Sequence, residues 1–196
     1  MMRIFLTLSL FAFGLACTAF SDDVIKDDFS GESLSKNWAS AKGEWKIRDG
    51  MLSGAGLKSD SHAAVLTYKA VHYNAKGEIT FQLNGSKGFH LSFNHPKGHL
   101  FRLIVSESSA IIRTDKDKKD PASKPLNLET VEGTFEQGKR YTMNFEIAGE
   151  TAAFEFDNGV RLEGSHASLA KEKMGYRLIV QGDGVLFDDF VIHSQE

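Results

Sequence analysis

Six polar side chains stand at alternate positions in otherwise apolar runs, and their chemistry suits the recognition of sugar hydroxyls. They are Gln82, His90, Asn94, Arg102, Asn144 and Arg177. Amides and guanidinium groups give directional hydrogen bonds, and an imidazole moves protons near neutral pH. His90 is therefore the candidate catalytic base, and the other five are candidate substrate-binding residues. An ordinary solvated sheet face shows the same alternation, so the pattern alone defines a polar face and not a reaction.

Other constellations carry less. His90, His95 and His99 fall close together, but their spacing matches no zinc pattern and no cysteine accompanies them. No metal ligand is assigned. Asp188 and Asp189, with Asp27 and Asp28, offer oxygens for a structural calcium if the terminal strands pair. Neighbouring strand residues point to opposite faces, so one aspartate of each pair joins such a site at most. Edge protection and turn bonding account for the same acids, and no cofactor is required. Trp38 and Trp45 suit stacking on sugar rings, yet both sit in apolar alternation and are expected in the core.

The elements that must position these residues are strands. From Gly77 to Ser108 three runs alternate with a period of two, the signature of a strand with one buried face. Ile79, Phe81 and Leu83 oppose Thr80 and Gln82; Phe89, Leu91 and Phe93 oppose His90, Ser92 and Asn94; Phe101, Leu103 and Val105 oppose Arg102 and Ser106. Asn84-Gly85 and His95-Pro96-Lys97-Gly98 separate the runs, so a meander is expected. Upstream, Gly43 to Gly54 predicts a hairpin around Asp49-Gly50, a dipeptide that tolerates the positive φ angles of a tight turn. Ala63 to Val71 is a further strand.

Downstream, Asp115 to Pro125 is a charged, Pro-containing loop, placed either in solvent or as a rim over a site. Arg140 to Ile147 alternates again. Ala153 to Leu162 turns at Asp157-Asn158-Gly159, and Tyr176 to Gln181 and Val185 to His193 close the series. Ser165 to Lys173, with Ser165 as N-cap, is the expected short helix. The sum is an all-β chain, a two-sheet antiparallel jelly-roll sandwich with one short helix.

The chain has 196 residues and a formal charge of −3, which offers no basic footprint for nucleic acid. Its 15 phenylalanines favour a large aromatic core. Residues 1–21 carry Arg3, an apolar run to about Ala16 and small residues before Asp22. That pattern predicts an export signal too short to span a bilayer, hence a secreted or periplasmic protein whose domain covers 22–196. Cys17 is the one cysteine; Gly14-Leu15-Ala16-Cys17 fits a lipid-attachment box poorly, because Gly14 stands where leucine is preferred.

The segments DDFSGESLSKNW, GEWKIRDGML, FEFDNGVRLEG and GYRLIVQGDGVLFDDFVIH together resemble the concanavalin A-like lectin/glucanase superfamily. Within it the chain is most similar to the bacterial 3-keto-disaccharide hydrolase domain family, which is related to glycoside hydrolase family 16. The resemblance runs from about Asp22 to His193. It implies a jelly roll whose terminal strands lie side by side, and a carbohydrate partner met on one curved sheet. Family 16 glucanases carry paired acids in a Glu-x-Asp-x-Glu or Glu-x-Asp-x-x-Glu motif. Here Glu155-Phe156-Asp157 is followed by Gly159 and Val160 where the second glutamate would stand. Paired-carboxylate hydrolysis lacks its second group. The readings that follow are cleavage of an oxidised (3-keto) sugar, non-catalytic carbohydrate binding, and a structural cell-surface sandwich.

Overall fold

Strict alternation in the sequence becomes two antiparallel sheets whose phenylalanine-rich faces meet. The computed structural model describes residues 23–96, 98–117 and 119–195. The proposed export signal and Cys17 lie outside them. The strands begin with β1 (Asp23–Asp27), β2 (Trp38–Lys42), β3 (Glu44–Arg48), β4 (Met51–Ala55) and β5 (Ala64–His72). They continue with β6 (Asn74–Leu83), β7 (Gly88–His95), β8 (Gly98–Ser106), β9 (Ser109–Thr114) and β10 (Leu126–Glu132). The last are β11 (Arg140–Ala148), β12 (Thr151–Phe156), β13 (Arg161–Ser165), β14 (Lys173–Val180) and β15 (Val185–Gln195).

The first sheet has the order β13-β12-β11-β6-β15-β4-β3, with β1 also paired to β15. The second runs β10-β9-β8-β7-β14-β5-β2. The terminal strands are therefore neighbours, as the resemblance implies, with Asp27 opposite Phe190. Between the sheets the inward side chains form one apolar cluster. Phe81 of the first sheet meets Phe89 of the second at 4.7 Å between ring centroids, and Phe93 stacks on Phe101 at 4.4 Å. Phe145 and Phe154 extend the same cluster. Trp38 is buried in edge contact with Tyr68 and Phe190, and its Nε1 donates to Asp27 Oδ2 at 2.8 Å. Trp45 is half-buried and lies against Gly54, where a Cβ would come within 2.3 Å of its ring. Both tryptophans pack on the core as expected.

Two expectations are corrected. The Gly77–Ser108 stretch is not one meander, because β6 belongs to the first sheet and β7 and β8 to the second. Asn84-Gly85 looks like a hairpin turn, but the amides of Asn84 and Ser86 both donate to Gly184 O, at 3.1 and 3.0 Å. Ser86 Oγ adds a bond to Gln181 O at 2.5 Å. Two linkers thus lie side by side, each carrying the chain from one sheet to the other. The predicted Ser165–Lys173 helix is instead a single 3-10 turn, Ala167–Ala170. Ser165 ends β13, and His166 is the cap, its Nδ1 accepting from the Ser168 amide. Lys173 is claimed by β14, where its buried ammonium donates to the carbonyls of Leu169, Lys171 and Tyr73.

The Asp49-Gly50 hairpin is as expected, with φ values of 51° and 71°. Among the described residues no helix is long and apolar enough to cross a membrane.

Candidate functional site

Register fixes which outward side chains of the second sheet stand together. Thr67 pairs with Arg177, Arg177 with Ser92, Ser92 with Arg102, Arg102 with Arg113, and Arg113 with Asn127. Paired residues share a face, so one polar row crosses five adjacent strands from β5 and continues to β10. The row beside it is mostly apolar: Val65, Ile179, His90, Ile104 and Ile111 in the same cross-strand sequence. A groove of about 580 Å³ opens over these two rows, lined among others by Thr67, His90, His99, Arg102, Arg177 and Gln181. This is the size of a small-molecule site.

Within it the groups are locked in place. Arg102 makes a two-pronged ion pair with Asp115, Nε to Oδ2 at 2.8 Å and Nη2 to Oδ1 at 2.7 Å. Asp115 opens the charged 115–125 loop, so that loop anchors the site's arginine from the rim. Burial raises the Asp115 pKa and the Arg102 charge opposes that shift. The remaining Arg102 nitrogen, Nη1, lies 3.3 Å from His90 Nδ1. A guanidinium only donates, so His90 Nδ1 accepts, and the neutral ring carries its proton on Nε2. Burial, then the Arg102 and His99 charges, push the His90 pKa down to about 4. The imidazole is uncharged at neutral pH.

A second chain of bonds lies next to it. Ser92 Oγ donates to Asn94 Oδ1 at 3.1 Å, and His99 Nδ1 is 2.5 Å from the same hydroxyl oxygen. With the Ser92 proton given to Asn94, the His99 ring is the donor of that short bond. Asn94 is buried, and its Oδ1 holds the Ser92 hydroxyl. Arg177 Nε donates to Thr67 Oγ1 at 3.3 Å, and burial pulls its pKa down.

The six residues singled out in the sequence divide. His90, Arg102 and Arg177 line the groove, and Asn94 supports it. Gln82 and Asn144 do not join them: they stand on β6 and β11 of the first sheet, on the other side of the sandwich. Their runs show the same alternation, but alternation does not say which sheet a strand enters. Asp115, His99, Ser92 and Thr67 were missed. The signal for Ser92 and Thr67 was present in the same alternation, whereas Asp115 reaches Arg102 only through β8–β9 pairing.

Among the described residues, no three or more His, Cys, Asp or Glu gather as a metal site. Asp27 is committed to the Phe29 amide and Trp38, and Asp189 Oδ2 accepts from Thr80 Oγ1 at 3.3 Å. Those acids serve turns and ties between strands. Glu155 and Asp157 stand away from the groove, paired with Arg161 and the Thr142 amide.

No family model matches the sequence, and neither does any curated protein. Solved structures do match by fold. The carbohydrate-binding module CBM66 from Bacillus subtilis is 12% identical, with a TM-score of 0.66 over 83% of this chain and 98% of that one. LamAcat from Zobellia galactanivorans is 15% identical, with a TM-score of 0.62 over 90% and 99% of the two chains. A GlcNAcα1-4Gal-releasing endo-β-galactosidase from Clostridium perfringens is 12% identical, with a TM-score of 0.62 over 91% of this chain and 63% of that one. At such identities the shared property is the two-sheet sandwich.

Proposed function

We propose that this chain is an exported carbohydrate-active protein that binds a sugar in the groove over β5, β14, β7 and β8, and cleaves a glycosidic bond beside a ketone. The observation that carries this reading is the His90–Arg102 pair in the groove, locked by Asp115 from the rim. The fold's similarity to carbohydrate-binding and carbohydrate-cleaving proteins supports the choice of ligand. Among the described residues lining the groove there is no carboxylate, so the two-acid mechanism has no carriers. A 3-keto sugar does not need them, because its ketone acidifies the adjacent C–H.

His90 takes that proton at Nδ1. The C–H electron pair becomes a C=C bond as the neighbouring C–O bond breaks, and the departing oxygen takes the proton that His90 has gained, which returns the imidazole to its neutral form. Arg102 Nη1 moves its N–H from Nδ1 to the ketone oxygen as negative charge develops there. Its contact with His90 is a long one, at 3.3 Å, so little is lost in that exchange. Asp115 holds the other two guanidinium nitrogens throughout.

The test is incubation of the protein with a 3-keto-disaccharide and its unoxidised parent, with products followed by mass spectrometry. Turnover of the keto sugar alone is expected, reduced at least 100-fold in His90→Ala. Turnover of neither sugar overturns the catalytic reading. A groove lined by no carboxylate among the described residues equally suits a non-catalytic binding module, for which binding without turnover is the expected result.

A further inference from the structure

The depressions over the two sheets differ in charge. The groove on the second sheet is lined by Lys42, Arg102 and Arg177 together with histidines, and by no acid among the described residues. Arg113 extends the cationic row by one strand. Asp115 is bonded to Arg102 and also feels Arg113. The depression on the first sheet is lined instead by Glu78, Glu146, Glu155 and Glu163, and by Glu129 from β10 at its edge, with Lys76 and Arg161 as its cations. The chain as a whole is acidic, at −3. The cationic groove therefore runs against the protein's own balance.

Arg177 is the telling residue. It is half-buried, its guanidinium makes one hydrogen bond among the described residues, to the neutral Thr67 hydroxyl, and it forms no ion pair among them. Arg102, at a similar depth on the same row, has a bidentate carboxylate. Partial burial of a charge without a counterion is unfavourable, and an anion arriving at Arg177 removes that cost. Its Nη1 and Nη2 form the planar fork that matches a carboxylate or a sulfate with two parallel bonds. A neutral hydroxyl accepts one such bond and cancels no charge.

Resting on the assignment of the groove to carbohydrate, we infer that its ligand is an anionic sugar, with the carboxylate or sulfate of one residue seated on Arg177. The reacting part of the sugar then lies toward His90 and Arg102, on the neighbouring strands. The surplus charge also draws anionic chains to this face and away from the acidic one.

The probes are a neutral gluco-oligosaccharide, its C6-oxidised uronate form and its sulfate ester, each titrated calorimetrically into the full protein at low and high salt. At least one charged form is expected to bind about tenfold more tightly than the neutral parent, which corresponds to about 1.4 kcal/mol. That preference should shrink at high salt. Comparing the uronate and sulfate arms tells which anion is read. Arg177→Gln should erase the preference of the charged forms over the neutral parent. Arg161→Gln, on the acidic face, should change neither. Arg113→Gln gives a second reading if Arg177→Gln does not fold, and is expected to weaken the charged forms alone. Equal binding of all three sugars overturns this inference and leaves the carbohydrate reading standing. Binding of none overturns both. Loss of the preference in Arg161→Gln as well would place the anion elsewhere and also overturn it.

Discussion

Arg102 is the residue on which the site turns, because it spends its nitrogens on two partners of opposite character. Its bond pair to Asp115 fixes the guanidinium, and what remains is aimed at His90. Asp115→Asn removes the compensating charge and leaves a half-buried cation. A loss of about 3 kcal/mol of stability is expected in urea unfolding. The same substitution exposes His90 to the full Arg102 charge, so its pKa should fall below the wild-type value in an NMR titration of the histidine rings. A rise would show that Asp115 acts on His90 by some route other than Arg102.

At the scale of elements, the two sheets are tied by side chains as well as by packing. Trp38 in β2 of the second sheet donates to Asp27 at the end of β1 in the first. Trp38→Phe keeps most of the aromatic contact and deletes the donor, at an expected cost of about 2 kcal/mol. Equilibrium unfolding of the variant beside Asp27→Asn should show non-additive losses if the bond is the shared cause. Lys173 plays a similar part where β14 begins. Burial lowers its pKa to about 8, which leaves it cationic at neutral pH while it holds three carbonyls. Lys173→Met strands those carbonyls and should cost about 3 kcal/mol by the same measurement.

The elements were also where the sequence was most and least legible. Strands with a long contrast between Phe, Leu or Ile and polar neighbours could be read, such as β11, whose Tyr141, Met143, Phe145 and Ile147 are all buried. β10 could not, because as an edge strand it is exposed or half-buried along its whole length and shows no apolar face. Sheet membership was equally invisible. Gln82 and His90 have the same local pattern, and what separates them is the Gly184 carbonyl that captures the Asn84–Ser86 linker from far along the chain. Half of the site was therefore named from sequence. The other half, Asp115 and His99 above all, depended on register.

For the molecule as a whole, acid should be the weak direction. His72 is fully buried, its Nδ1 bonds the Ala70 carbonyl at 2.9 Å, and its ring stacks on Tyr176 at 4.6 Å. Its Nε2 has no partner among the described residues. Burial first, and the Lys173 charge in addition, bring its pKa down from 6.5 to about 4. The unfolded chain thus binds a proton between pH 6.5 and 4 that the folded chain refuses, so stability falls as pH drops through that window. His72 by itself should remove about 2 kcal/mol between pH 7 and 5. Urea midpoints across this range, compared with His72→Gln, check the sign and size. A variant with an unchanged slope would assign the acid sensitivity elsewhere.

The place of β15 has a further consequence for how the chain comes to be folded. This last strand is an inner strand of the first sheet, touching β6, β4 and β1, and without it β6 and β4 have no common neighbour. During synthesis the first sheet cannot close until the C-terminal residues are available, however long the earlier strands have existed. The contacts that complete it span nearly the whole described sequence, which makes for slow, all-at-once folding. A chain shortened before Val185 should stay open, and a chain that includes β15 should reach its native state only after that strand has emerged.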